Sequence, residues 1–406
     1  MGALFSRRSP LLQRLLNLVG IVATIWTVVE LLYVRTALVR EGSVSPPALG
    51  NERIYIASIH WTNEDILRAH WNKAVVELAK AVGPSNVYVS VYESGSMDDT
   101  KGALRELDRD LGHEKIPRMI VLDDTTHQDE ISKTPAETGW IKTPRGQMEL
   151  RRIPYLARLR NIALKPLVKL GEKGMKFDKI LFLNDVVFNN EDVRTLLGTR
   201  DGDYAAACSL DFKNGHSFYD TFALRDSQGH EQVSQSWPFF RSARSRRALK
   251  ASKPVPMTSC WNGIVAMDAA PFYKRDSPLD FRGIPDSLAE YHLEGSECCL
   301  IHTDNPLSPS KGVWLNPNVR VGYTVPAYER VHASGASPWI SSFSIAFGSW
   351  SNRVIRWTTT PWFKERTVRG RVQDWSRLSS SNVESGESIC LINEQQVLVA
   401  NGWKHV

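Results

Sequence analysis

The chain has 406 residues, 42% hydrophobic and 23% charged, a balance that excludes wholesale disorder and leaves room for two domains or one large α/β unit. A formal net charge of +6 suits an anionic partner, whether nucleic acid, lipid headgroup or sugar diphosphate. Five cysteines (Cys208, Cys260, Cys298, Cys299, Cys390) without CxxC spacing exclude a disulfide scaffold and argue against structural zinc; one or two disulfides stay open in an oxidising lumen, with an odd thiol left over.

Residues 1–14 carry Arg7, Arg8 and Arg14 and read as a cytosolic tail. Leu15–Val34 follows, a run of the length a helix needs to cross a bilayer, interrupted only by Asn17, Thr24, Thr27 and Glu30. The expectation is a single-pass signal anchor with the bulk of the chain lumenal; a cleaved signal peptide or a buried core helix are the alternatives. Residues 35–52, ending in the aperiodic Pro- and Gly-bearing EGSVSPPALGNE, read as a stem.

From residue 53 strands and helices alternate. Arg53–Ile59 is a β-rich run, and Glu64–Val82 has helical apolar spacing stopped by Gly83-Pro84. Asn86–Tyr92 is a second strand, Asp98–Leu111 a helix, Arg118–Leu122 a third strand, Leu156–Leu170 a helix around Pro166, and Lys179–Leu183 a strand buried on both faces. Such alternation predicts an α/β domain with a mostly parallel sheet, whose ligands lie beyond the carboxyl ends of the strands. Arg241–Lys253 is the most biased stretch, read as a solvated basic face or as a mobile lid for a diphosphate or acidic glycan. A lumenal anchor argues against a nucleic-acid partner.

Strand ends are where polar residues gather. Tyr92–Thr100 (YESGSMDDT) offers acids to a base or ribose beside a Gly-Ser turn; an ordinary turn with an acidic helix cap fits equally. Arg158 and Arg160 can fork onto phosphate oxygens or form surface salt bridges. Asn184-Asp185, just past the buried strand, supplies hard oxygen donors for Mg²⁺ or Mn²⁺, unless Asp185 caps the next helix. Trp261-Asn262 suits a hexose by stacking and amide hydrogen bonds, or Trp261 packs in a core loop. Glu297, His302 and Asp304 cluster around a short apolar run, with His302 a third metal ligand or a structural histidine.

Taken together, IYIASIHWTNEDIL, YESGSMDDT, RLRNIALKPL, ILFLNDVVF, CWNGIVAMDAAPF, GSECCLIHTD and LNPNVRVGYT resemble the fungal capsule-associated α-1,3-mannosyltransferase family, glycosyltransferase family 69. The resemblance implies a GT-A-like nucleotide-sugar-binding fold over 53–324, with 325–406 a C-terminal extension packed upon it. It implies a single-pass type II Golgi membrane protein that uses GDP-mannose and Mn²⁺ (or Mg²⁺) and makes an α-1,3 bond to a mannoside or mannan acceptor with retention, in capsule or wall glycan synthesis. Mapped onto this chain, the donor site comprises Ser58, Glu93, Ser94, Asp98, Arg158, Arg160 and Asn184, and the acceptor site Trp261 and Asn262. Asp185 and His302 are the metal ligands, and Glu297 and Asp304 the carboxylates beside the anomeric carbon. Only one true carboxylate stands where the Asp-x-Asp motif of such enzymes has two. A xylose or galactose donor, or a non-catalytic scaffold for polysaccharide assembly or export, are the competing readings.

Overall fold

The run Lys179–Leu183 forms a strand with all five residues buried, because both faces of the sheet are covered. A computed structural model describes residues 10–42, 46–48, 50–332, 338–378 and 389–406. Helix α1 (Pro10–Gly42) precedes β1 (Ile54–His60), α2 (Asn72–Val82), β2 (Val87–Ser94), α3 (Thr100–His113) and β3 (Arg118–Asp123). Then come α4 (His127–Ser132), α5 (Arg152–Glu172), β4 (Lys179–Leu183), α6 (Asn190–Leu197), β5 (Ala206–Asn214) and α7 (Ala243–Lys250). The chain continues through β6 (Val255–Ser259), β7 (Ile264–Asp268), α8 (Glu297–Asp304), β8 (Val313–Gly322), α9 (Ser342–Thr358) and α10 (Trp362–Ser376).

The main sheet runs β3-β2-β1-β4-β7-β5-β8-β6. β3, β2, β1 and β4 are parallel, β7 lies antiparallel between β4 and β5, and β8 returns parallel to β5. This is the GT-A-like arrangement, with most strands sharing one direction. Strand pleating sorts the core: Tyr55, Ala57, Ile180 and Phe182 face one side with Leu164 and Leu167 of α5. Ile54, Ile56, Leu181 and Leu183 face the other, against Val75, Leu78, Leu104 and Leu107. Pro166 removes one helical bond in α5, and in the same turn Ala163 O accepts the hydroxyls of Tyr55 (2.8 Å) and Ser90 (2.7 Å).

α1 holds the one span among the described residues long and apolar enough to cross a membrane, Leu11–Arg40. It continues past Val34, and its far end docks: Val34 and Ala37 are buried in the domain core, while Glu30 pairs with Lys250 and Arg353. The basic stretch at 241–253 is therefore not loose: Ser242 caps α7, and Lys250 at its end meets α1. Trp339 and Trp375 are core residues, whereas Trp357 and Trp362 are exposed.

Two disulfides, Cys208–Cys260 and Cys299–Cys390, leave Cys298 free and buried. The second joins residues 91 apart and ties the C-terminal hairpin Gln396–His405 to α8. Closing so long a loop restricts the unfolded chain, so Cys390→Ser should cost about 2–4 kcal/mol in urea unfolding. An unchanged midpoint would show that the tail is held by its other contacts alone.

Candidate active site

Parallel strands deliver their carboxyl ends to one edge of the sheet. His60 ends β1, Ser94 ends β2, and Asn184-Asp185 follows β4. β7 starts at the same edge after Trp261-Asn262-Gly263, and β5 and β8 finish there with Asp211 and Tyr323 nearby. Asn184 N donates to Gly263 O (2.9 Å) and Tyr323 N to Phe212 O (2.9 Å), closing the edge. Gly263 has φ +74°, and a Cβ there would lie 2.2 Å from Val321, so this join demands glycine.

Asp185 is the hub. Its Oδ2 accepts from Asn63 Nδ2 (2.9 Å), and Asn63 Oδ1 in turn accepts from Trp61 N and lies 3.3 Å from His60 Nδ1. His60 Nε2 is 2.8 Å from Ser58 Oγ, which donates to Leu183 O (2.6 Å). Burial holds His60 neutral, its pKa near 4. A single π-helical turn at Leu67–Trp71 buries Trp71, whose Nε1 donates to Asn184 O (3.0 Å). The backbone before Asp185 and the carboxylate itself are thus both held. Burial raises the Asp185 pKa to about 6, outweighing its own backbone hydrogen bond and distant Lys213, and no arginine or lysine forms an ion pair with it among the described residues.

That is the test for a cation: a carboxylate short of positive charge beside the amide oxygen of Asn184, hard donors of the kind Mn²⁺ or Mg²⁺ takes. These residues fit. No three His, Cys, Asp or Glu side chains converge on a metal position among the described residues. His302 Nε2 faces Cys260 O at 2.8 Å, while its Nδ1 is buried without a partner.

Behind Asp185 lies a second cluster. Asp211 is fully buried; its Oδ1 accepts from Asn262 Nδ2 (3.2 Å) and Asp220 N (3.2 Å), and its Oδ2 has no hydrogen bond. Burial, then the neighbouring Asp220, pushes the Asp211 carboxyl well above the usual range, so Asp211 holds a proton beside Asp220. Arg152, Arg160 and Glu297 act electrostatically on Asp220. Tyr323 bridges the clusters: its hydroxyl is 3.4 Å from Asn184 Nδ2, and burial together with Asp211, Asp220 and Asp185 keeps it protonated.

The residues expected from sequence separate here. Ser58 and Asn184 belong to the Asp185 hub, and Ser94 Oγ is 3.5 Å from His60 O. Glu93 is buried, accepting from Ser96 N, with Lys101 Nζ 3.8 Å from its other oxygen. Asp98 accepts from Glu64 N (3.0 Å) and Thr100 N (3.1 Å), and Asp99 caps α3, so the acid pair serves helix termini. Gly95 (φ +62°) is required by the backbone of Thr125, 2.2 Å from where a Cβ would sit. Arg158 and Arg160, two apart on α5, point to opposite sides: Arg158 is half-exposed and meets Glu130 (2.6 Å), whereas Arg160 is buried on Glu297 (3.0 Å). Trp261 is buried with Phe182, Phe281 and the Arg160 guanidinium around it, and its Nε1 is 3.4 Å from Asn184 Oδ1. Asn262 is buried on Asp211 and Asp220 O, so neither Trp261 nor Asn262 offers a sugar an open face. Asp304 lies apart, paired twice with Arg282 (2.6 and 2.9 Å).

Asn63, Arg152, Asp211, Asp220 and Tyr323 were not singled out from sequence. Asn63 and Tyr323 sat inside quoted motifs, WTNED and VGYT; Asp211 and Asp220 carried no local signal. An open cleft of about 630 Å³ lies at the opposite strand ends around Asp178, Lys179 and Asp268 and shares no residue with this site.

Comparison with known proteins places the chain in a family. The family described as cryptococcal mannosyltransferase 1 matches residues 53–304, more than half of the chain. Among solved structures, the mannosyltransferase PcManGT from Pyrobaculum calidifontis, in complex with GDP-Man and Mn²⁺, is 13% identical over 90% of this chain and 88% of its own, with TM-score 0.37. TarS 1-349 from S. aureus is 12% identical over 68% of this chain and 61% of its own, TM-score 0.37, so the chain spans under two thirds of it. The M. tuberculosis glucosyl-3-phosphoglycerate synthase is 12% identical over 75% of this chain and 80% of its own, TM-score 0.30. No curated protein matches the chain.

Two measurements probe the buried charges. Arg160→Met strands the Glu297 carboxylate and should cost about 3–5 kcal/mol, with most of it recovered by adding Glu297→Gln. Equal losses in single and double variants would mean the pair is not coupled. His302 has its pKa lowered by burial from 6.5 to about 4, so between those values the unfolded chain takes the proton first. The resulting loss of stability is absent above pH 6.5, grows as pH falls and is complete below about 4. His302→Gln should therefore flatten the stability profile between pH 7 and 5 by about 2 kcal/mol. Parallel profiles would show that His302 ionises freely in the fold.

Proposed function

We propose a specific reaction for this chain, which belongs to the cryptococcal mannosyltransferase family and is a glycosyltransferase: transfer of mannose from GDP-mannose to an α-mannoside, forming an α-1,3 bond with retention. The single observation that carries the reading is Asp185, a carboxylate short of positive charge at the carboxyl edge of the sheet, inside the residues that match the family. Asp185 and Asn184 are the residues that would hold a divalent cation, Mn²⁺ or Mg²⁺. When bound, that ion supplies neutralisation of the donor diphosphate.

The chain's own residues do the rest. Asn63 and Trp71 fix Asp185 and the backbone before it, so the charge acceptor needs no rearrangement when donor arrives. Half-exposed Arg158, on the β3 side of the edge, is free to turn from Glu130 to a phosphate. Asp220 is the carboxylate placed to steady the positive charge that develops at the sugar's C1 as its bond to phosphate breaks. Arg152 and Arg160 offset its charge against Glu297, and Asp211, protonated, adds no second charge beside it. The acceptor hydroxyl oxygen bonds to C1 on the face the diphosphate leaves, and its proton passes to the leaving phosphate oxygen, which keeps the configuration. Tyr323 lies between both clusters, where it can orient acceptor or phosphate by its hydroxyl.

Placement in an oxidising compartment is supported by the two disulfides, and a single-pass type II anchor by α1 with its flanking arginines. Both fit a Golgi enzyme of capsule or wall glycan synthesis.

The test is turnover of the full chain with nucleotide-activated mannose, xylose and galactose, α-mannosides and Mn²⁺, followed by linkage analysis. GDP-mannose should be consumed with an α-1,3 product. Asp185→Asn should lower kcat by roughly 10²–10³-fold at an unchanged melting temperature. Transfer from another donor sugar, or wild-type turnover in Asp185→Asn, would overturn the assignment.

A further inference from the structure

The outer face of α9 is apolar where a water-facing helix would be polar. Its packing face comprises Ile345, Gly348, Ser349, Asn352 and Arg353. Opposite, Phe343, Phe347, Trp350, Val354 and Trp357 recur at i, i+4, i+7, i+11 and i+14, one stripe along the helix. Phe343 is 76% exposed, Phe347 63% and Trp357 70%, and past the turn Phe363 of α10 is 70% exposed. A contiguous bare patch of this kind marks a surface meant for something other than water.

Its position says what covers it. Trp350, within the stripe, donates from Nε1 to Thr27 Oγ1 of α1 (2.8 Å), Arg353 pairs with Glu30, and Arg35 donates to Ser342 Oγ. α1 therefore runs alongside α9 from Thr27 to Arg35. Over that same length the other face of α1 stays bare and apolar, with Val28, Val29, Leu32 and Tyr33 all exposed. A helix rising about 1.5 Å per residue needs some 20 residues to cross a hydrocarbon core of about 30 Å. Starting from Leu15, the crossing ends near Val34, so the segment touching α9 lies within the membrane's far half rather than above it. Glu30 at that depth is neutralised by Lys250 and Arg353. Behind the stripe Arg241, Arg246, Arg353 and Arg356 crowd together, enough to pull Arg246 down to about 10 through burial and mutual repulsion. Its partly exposed members, Arg241, Arg246 and Arg356, suit anionic headgroups.

We propose that α9 and the start of α10 form a monotopic membrane-docking face that lies in the lumenal leaflet beside α1, with Phe343, Phe347, Trp357 and Phe363 immersed in lipid. The catalytic domain is then clamped against the bilayer instead of swinging on a stem. This rests on the reading that α1 spans the membrane, and the test separates the two.

Full-length chain carrying one introduced cysteine, Val22→Cys, Phe347→Cys, Phe363→Cys or Met97→Cys, is labelled with an environment-sensitive fluorophore. It is then reconstituted in phosphatidylcholine bilayers containing anionic lipid and spin-labelled acyl chains. All four positions are exposed, so the substitutions leave the core alone. Labels at 347 and 363 should blue-shift and lose emission to the quencher as fully as the label at 22, while 97, in the loop before α3, stays bright. Quenching at 22 with 347 and 363 as bright as 97 overturns the docking face and leaves the anchor standing. No quenching at 22 overturns the anchor and the inference together.

Discussion

The arrangement depends on one constraint: a carboxylate has been brought to the end of a strand whose faces are both sealed from water. Burying β4 requires apolar residues over Ile180–Leu183, with Lys179 at its start turned to Gly202 O, so the first acid available at the other end is the one just past the strand. Asp185 pays for that position in proton affinity, and its burial is tolerable only because neutral donors reach it. The π-helical turn makes this possible, since it rotates Trp71 inward to hold Asn184 O while Asn63 holds Asp185. A regular helix through 64–82 would have placed the indole elsewhere.

The second cluster follows from the same economy of water. Asp211, Asp220 and Glu297 are three acids facing two guanidiniums, Arg152 and Arg160, and the imbalance is met by keeping a proton on Asp211. Buried ion pairs of this kind seldom add net stability, because desolvation consumes what attraction returns. Their retention beside a strand edge where Asp185 already lacks a counter-charge reads as electrostatic preparation for an anionic, then cationic, ligand. Structural duty alone explains Arg282–Asp304, which lies apart and half in water.

Much of the α/β order was legible because each run had one period. β4 was read to the residue, while α5 was missed in its first turn, where Arg151 and Arg152 hide an amphipathic start, and in the two residues it runs past Leu170. Asp185 was legible for the same reason: an acid after an unbroken apolar run has no local partner. Arg158 and Arg160 were grouped by adjacency, yet two residues on a helix differ by about 200° and diverge. Trp261 looked like a platform because sequence shows an aromatic but not what covers it; Phe182, Phe281 and Arg160 arrive from other elements. Asp211 and Asp220 were invisible, since their pairing arises from β5 folding back through Ser217–Phe218. Asp98 shows the converse, a local capping pattern read as ligand chemistry.

The residues that match the family do not close the site by themselves. They supply Asn63, Asp185, Asp211, Asp220 and Glu297, all before residue 305. Tyr323, which stands between the two acid clusters, follows β8 beyond that boundary. Arg152, which opposes Asp220, is steadied by Gln396 Oε1 (2.6 Å) and by the Trp403 ring (4.3 Å), both from the C-terminal hairpin. Leu398 packs with Tyr92 and Tyr155 beneath the same edge, and Cys299–Cys390 fixes the hairpin in place. The extension is therefore an electrostatic and packing partner of the candidate site's edge at one end, and through α9 it is a companion of α1 at the other. One segment thus links the side of the molecule that carries α1 to the charge that balances Asp220.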